Sequence, residues 1–111
     1  MIAKNEFLSH LKEIGKGNKE VTSAIMIDNR DLGLKIVLHP NYSDNEYNSF
    51  LKELSFEYND GYGTQELDGY IWYTDGTWSE RYEYDGNEWW EYKKCPSFQD
   101  KLEFFISNKE D

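Results

Sequence analysis

The sequence predicts an α+β fold, an antiparallel sheet that includes a C-terminal three-stranded meander, with helices packed on one face. Two observations carry this. Aromatic, strand-like runs at Tyr70–Thr74, Thr77–Tyr84 and Asn87–Tyr92 are separated by Asp75-Gly76 and Asp85-Gly86. An Asp-Gly pair between such runs is the strongest short-range hairpin signal. Elsewhere, apolar residues recur at helical spacing in three segments, giving the order helix, two strands, helix, three strands, helix. Length sets the domain count: residues 1 to 111, at 13.2 kDa, fit a single domain around one core. Aromatics make up 17% of the chain, which separates it from disordered acidic sequences, poor in rings.

Taken in order, Asn5 to Lys16 reads as a helix with Phe7, Leu8, Leu11 and Ile14 on one stripe, stopped by Gly15 and Gly17. His10 falls off that stripe and is expected at the solvated surface. Val21–Asp28 and Leu34–His39 read as a hairpin across the turn-rich Asn29–Gly33, closed by Pro40. Ser43 and Glu46 form a capping box for a second helix over 44–54, with Tyr42 and Tyr47 as its staple and Tyr47, Phe50, Leu51 and Leu54 as its buried stripe. The oxygen-rich run Asn41–Asn48 lacks the calcium-loop spacing, so no metal is expected there. The pattern allows a short strand at Ser55–Tyr58, and Asn59–Gly63 reads as a turn. After the meander (70–92), Pro96 and Ser97 introduce a last helix at 98–107 with Phe98, Leu102, Phe105 and Ile106 on its apolar face.

Two-residue turns predict the register of the meander. Tyr73 then faces Trp78, Tyr82 faces Trp89 and Arg81 faces Trp90. One face carries Ile71, Tyr73, Trp78, Tyr82, Tyr84 and Trp89; the other carries Tyr70, Trp72, Ser79, Arg81, Trp90 and Tyr92. Both are aromatic, whereas a half-buried sheet alternates apolar with polar. The Arg81 face is taken as the exposed one, its guanidinium stacking between Tyr70 and Trp90. The candidate partner-binding set is therefore Tyr70, Trp72, Arg81, Glu83, Glu88, Trp90 and Tyr92. If that face packs inward instead, Tyr82, Tyr84 and Trp89 take its place. Glu80 should face Glu91 and Glu83 should face Glu88. Paired carboxylates can serve as acid and base, but no nucleophile or histidine accompanies them, so no catalytic residue is assigned and no cofactor is expected.

Charge narrows the partner. Residues 43 to 91 hold 13 acidic and 2 basic side chains, while the remainder holds 9 and 10, within a net charge of −10. Such a chain repels nucleic acid and anionic membrane and steers toward a basic protein surface. Met1–Gly17 does not read as a signal peptide, and no stretch approaches the roughly 20 apolar residues of a membrane helix. The single Cys95 cannot close an internal disulfide, which fits a reducing cytoplasm.

The residues Gly61-Tyr-Gly63, Gln65-Glu-Leu67, Gly69, Ile71-Trp72, Asp75-Gly-Thr-Trp78, Arg81, Glu83-Tyr-Asp-Gly86 and Glu88-Trp-Trp90 form a string over about a third of the chain. It resembles a pattern in small uncharacterised proteins of tailed bacteriophages and prophages. The resemblance implies a non-enzymatic phage accessory protein in the cytoplasm of the bacterial host. Such a protein would bind and inhibit or modulate a host protein with a basic surface, for example a nucleic-acid enzyme or a CRISPR defence effector, partly by DNA-like charge. The residues leave two further readings open: a small-ligand or carbohydrate-binding domain that stacks Trp72, Trp90 and Tyr92 on its ligand, and a homodimer that covers the second aromatic face.

Overall fold

Strands with apolar residues at every second position need a layer to bury them, and amphipathic helices need the same from the other side. A computed structural model of the chain, which describes residues 1–18, 21–58 and 65–107, joins the two. Its elements are α1 (Ala3–Glu13), β1 (Thr22–Asn29), β2 (Leu34–Leu38), α2 (Asp44–Glu53), β3 (Leu67–Tyr73), β4 (Trp78–Tyr84), β5 (Asn87–Lys93) and α3 (Phe98–Ser107). The fold class is α+β. The five strands form one antiparallel sheet in the order β2-β1-β3-β4-β5, and β3 to β5 are the meander. The turn expected at Asn59–Gly63 lies outside the described residues.

The core lies between one sheet face and two helices. Phe7 and Leu11 of α1 and Tyr47, Phe50 and Leu54 around α2 meet Ile25, Ile27, Ile36, Leu38, Leu67 and Ile71 of the sheet. Phe7 and Phe50 join the two helices edge to face at 5.6 Å, a geometry that suits the ring quadrupoles. The start of α2 follows the sequence pattern: Ser43 Oγ accepts from the Glu46 amide, and Glu46 Oε1 accepts from the Ser43 amide. The Tyr42 and Tyr47 rings stack at 5.7 Å beside it. In place of a strand at 55–58 there is a single bridge between Ile2 and Glu57, which ties the N-terminus to the segment leaving α2.

Three expectations change. First, the β3–β4 register differs by one residue: Trp72, not Tyr73, pairs with Trp78, and Ile71 pairs with Ser79. Asp75 keeps a negative φ and its carboxylate accepts from the Thr77 amide, while Gly76 takes φ +86°. The loop is thus the three-residue kind, a right-handed turn closed by a left-handed glycine. At the second turn Asp85 and Gly86 both have positive φ, 53° and 86°, so the loop has two residues and the expected Arg81–Trp90 and Tyr82–Trp89 pairs form. Second, α1 presents Ala3, Phe7, His10 and Leu11 to the core and leaves Leu8 exposed, so His10 is buried rather than solvated. Third, α3 does not share the helical layer: none of its apolar residues belongs to the core, and Phe98, Phe104, Phe105 and Ile106 are exposed.

Gly69 allows β3 to lie against β1. A Cβ there would sit 2.3 Å from the Met26 carbonyl oxygen and 3.1 Å from the Ile27 Cα, at a φ of +156° that L residues rarely adopt. Gly69→Ala should therefore lower the unfolding free energy by about 1–3 kcal/mol, the usual cost of forcing a group into a packed site. Urea denaturation measures this, and a variant as stable as the parent would contradict the close approach.

Candidate interaction surface

Side chains alternate along a strand, so a one-residue slip moves a whole set to the other face. With Ile71 opposite Ser79, the residues facing α1 are Ile71, Tyr73, Ser79, Arg81, Glu88 and Trp90, all buried. The outward set is Tyr70, Trp72, Trp78, Tyr82, Tyr84 and Trp89. Tyr70, Trp72, Tyr82 and Trp89 each keep between 37% and 43% of their surface open, and Tyr84 keeps 68%.

The sequence-derived site residues therefore divide. Tyr70 and Trp72 lie on the open face. Arg81, Glu88 and Trp90 are core residues, which corrects the expectation that they line an exposed docking surface. Tyr92 is half-buried and packs against the core, with its ring 5.9 Å from Tyr73. Glu83 is exposed at the end of β4, where its carboxylate accepts from the Gly86 amide at 2.9 Å and supports the turn. The stacking expected of Arg81 does occur, inside the protein: its guanidinium lies 5.2 Å from the Trp90 ring centre and 5.5 Å from that of Tyr58.

Burial of the Arg81 guanidinium requires paired and hydrogen-bonded partners. Its Nη1 donates to Glu6 of α1 at 2.9 Å; its Nη2 donates to the Tyr58 hydroxyl at 2.9 Å and to Glu88 of β5 at 3.0 Å. Tyr58 donates in turn to Glu6. Glu88 also accepts from the amides of Glu66 and Leu67, at 2.6 and 3.0 Å. Burial works against the charge of Arg81, but the Glu6 carboxylate leads the contacts that hold its pKa above the ordinary value. Burial, followed by the hydrogen bond to Glu6, pushes the Tyr58 pKa up.

A second buried chain joins α1 to the sheet. His10 Nε2 and the Tyr73 hydroxyl each lie 2.7 Å from Ser79 Oγ. Burial lowers the pKa of His10 and pushes that of Tyr73 up to about 12. With the histidine neutral and its Nε2 unprotonated, Tyr73 donates to Ser79 and Ser79 donates to His10, which gives both hydroxyls a partner. A serine bonded to a histidine can be an activated nucleophile, but Ser79 is completely buried and serves the packing instead. The facing glutamates have other commitments too: Glu80 pairs with Lys93 at 3.3 Å, and Glu88 belongs to Arg81.

The open face interleaves rings and charges: Glu80 stands between Trp78 and Tyr82 on β4, opposite Tyr70 and Glu91, and Asp68 precedes Tyr70 on β3. Met26 and Val37, paired across β1 and β2, extend the ring surface of β3 to β5. Tyr70 and Trp72 stack at 5.6 Å, and Tyr82 meets Trp89 at 5.1 Å. A shallow groove runs beside Gly69 between Met26, Val37 and Tyr70, with Asp28, Lys35 and Asp68 at its edge. Asp28 is opposite Lys35 on one side and Asp68 on the other, and Asp68 pairs with Arg30 at 2.8 Å. The outward Trp78, Tyr82, Tyr84 and Trp89 were grouped together from the sequence, but the register slip hid that Tyr70 and Trp72 share their face. Met26 and Val37 were missed; their alternation with buried Ile25, Ile27, Ile36 and Leu38 was the available signal.

No family model, curated protein or solved structure matches the chain. Among the described residues, no helix is long and apolar enough to cross a membrane.

The two faces make opposite predictions for adjacent tryptophans. Trp90→Ala should cost about 3–5 kcal/mol of stability as a core truncation, whereas Trp89→Ala forfeits a cross-strand pair of about 0.2–1 kcal/mol. Chemical denaturation of the two variants checks the assignment of faces.

The lowered pKa of His10 sets a pH dependence. The unfolded chain binds a proton near pH 6.5 while the folded chain resists it, because burial and Arg81 oppose the charge more than Glu13 favours it. This contribution to stability is complete above about pH 6.5 and is lost as the pH falls through the folded-state value. His10→Gln should flatten the decline between pH 7 and 5.5, measured by urea denaturation; a parent protein that gains stability on acidification over that range would contradict a neutral buried histidine.

Proposed function

We propose that the chain is a non-catalytic binding domain that docks its open aromatic sheet face on a partner protein with a basic surface. One observation supports this reading: among the described residues no second layer covers the sheet face that bears Tyr70, Trp72, Tyr82 and Trp89. An antiparallel sheet that faces water normally presents polar side chains there, and Trp and Tyr dominate interface hot spots. The net charge of −10 supplies the sign of the partner. Because Asp68 and Glu80 on the face are ion-paired, the charge acts mainly through long-range steering, and the rings supply the contact.

The phage-protein resemblance supports an accessory role in the bacterial cytoplasm, with a nucleic-acid enzyme or a CRISPR-type defence effector as the inhibited or modulated host protein. The carbohydrate alternative is less well supported by the geometry. Tyr70 and Trp72 lie nearly parallel, 25° apart, and stack on each other, so each ring turns part of its face toward the other rather than toward a ligand.

Affinity capture from bacterial lysate, run in parallel with the parent chain and a Trp72→Ala/Tyr82→Ala variant, tests the reading. A specific partner should be retained by the parent and lost by the variant, with at least about 2 kcal/mol of binding removed and little change in stability. Raising the salt concentration should weaken the complex, since charges separated by more than about 8 Å are screened at physiological ionic strength. Equal capture by parent and variant would overturn the proposed surface, and affinity indifferent to salt would remove the electrostatic part.

A further inference from the structure

Among the described residues a second apolar surface is exposed, on α3. Phe98, Leu102, Phe105 and Ile106 fall on one side of α3; Phe98, Phe105 and Ile106 keep between 55% and 81% of their surface open, and Phe104 is exposed on another side. A helix of 10 residues is too short to be stable alone in water, where fewer than about 12–15 residues is marginal. Its apolar stripe needs a surface. The core face of its own sheet is filled by α1 and α2. The connection from β5, Lys94-Cys95-Pro96-Ser97, is short, and Pro96 disfavours a helical Cys95, so α3 begins only beyond it. The radius of gyration, 16.4 Å, exceeds the roughly 13 Å of a compact 100-residue domain, as expected of a helix that stands clear.

We infer that α3 docks on the open sheet face of a second copy, and the second copy's α3 docks in return, forming a two-fold symmetric dimer. The inference rests on the reading of that face as a docking surface and adds what covers it before the basic partner binds. Area selects this arrangement over the simpler pairing of two helices. At about 150–250 Å² for each aromatic side chain, one α3 stripe offers about 400 Å². Two helices on two sheets then bury about 1,600 Å² in all, the size of a stable interface, whereas two helices paired with each other bury about half of that. Reciprocal exchange also makes the contact self-complementary, as a two-fold interface must be.

The two interactions of the sheet face differ in their response to salt. Each copy carries a charge of −10, so self-association opposes like charges and tightens as salt screens them, while binding to a basic partner weakens.

Sedimentation equilibrium of the full chain, with acrylamide quenching of tryptophan fluorescence, tests the dimer. The variants are Phe105→Asp on α3 and, on the sheet, Trp72→Glu with Met26→Glu as a second choice; circular dichroism confirms that each is folded. The parent should be dimeric, more tightly so in high salt. Phe105→Asp and the sheet variants should each dissociate at least tenfold more readily, with tryptophans more accessible in the helix variant. A mixture of helix and sheet variants should associate more tightly than either variant alone, since one of the two exchanged contacts is intact in the mixed pair. A sheet variant that stays dimeric would mean α3 pairs with α3, and a Phe105→Asp dimer would mean the sheets pair directly; either result overturns the exchange. A monomeric parent with freely quenched tryptophans overturns the dimer and leaves the partner-docking reading standing. A monomeric parent whose tryptophans are shielded until Phe105 is replaced places the helix on its own sheet and likewise overturns the dimer.

Discussion

The guanidinium of Arg81 sits where the helical layer, the chain leaving α2 and the meander converge. Because its side chain is completely buried, its charge cannot rely on water, and every element that supplies a partner is drawn to it. Glu6 anchors α1, Tyr58 fixes the segment beyond α2, and Glu88 brings β5 into the same cluster. Glu88 then spends its remaining acceptor capacity on the amides of residues 66 and 67, where β3 begins. Loss of one partner from such a cluster leaves a buried charge uncompensated, at a cost of about 3–5 kcal/mol, even where the intact pair adds little net stability. The cluster is therefore better understood as a specification of geometry: it determines which face of the meander turns inward.

That choice leaves the other face bare. Burying Arg81, Trp90 and Tyr73 under α1 sends Tyr70, Trp72, Tyr82 and Trp89 outward together. The same ion pairing removes much of the acidity that the composition suggests for this region. Asp68, Asp75, Glu80 and Glu88 all have basic partners, at 2.7 to 3.3 Å. The surface that results is a ring-rich sheet face, with ion-paired Asp68 and Glu80 among the rings, in a chain whose overall charge is negative.

Much of the fold could be read from local chemistry. The α2 cap, the Asp85-Gly86 turn and the element order depend on neighbouring residues, and they appear as the pattern indicates. The failures were non-local. Asp75-Gly76 and Asp85-Gly86 are the same dipeptide, but the first turn is set by Asp75, whose carboxylate bonds Thr77 and Lys16; Lys16 lies 59 positions away in sequence. An arginine beside tryptophans looks like an interface until Glu6 and Tyr58 arrive from distant segments to neutralise it. His10 is illegible for the same reason: a polar residue on α1 belongs inside only because Ser79 is there to bond it. The open face is half legible: alternation groups Tyr82, Tyr84 and Trp89, and the one-residue difference in register separates them from Tyr70 and Trp72.

The alternation of the meander also has a consequence for how such a protein can change over generations. Inward positions such as 79, 81, 88 and 90 are bound to one another by burial and hydrogen bonds, so a replacement at one demands a matching replacement at another. Outward positions 70, 72, 82, 84 and 89 lie on the opposite face, where Tyr70 meets Trp72 and Tyr82 meets Trp89, so a change there leaves the buried set in place. A single stretch of chain thereby interleaves an interlocked frame with a surface that the frame does not constrain, residue by residue. A lineage under pressure from a changing partner could rewrite the second without disturbing the first.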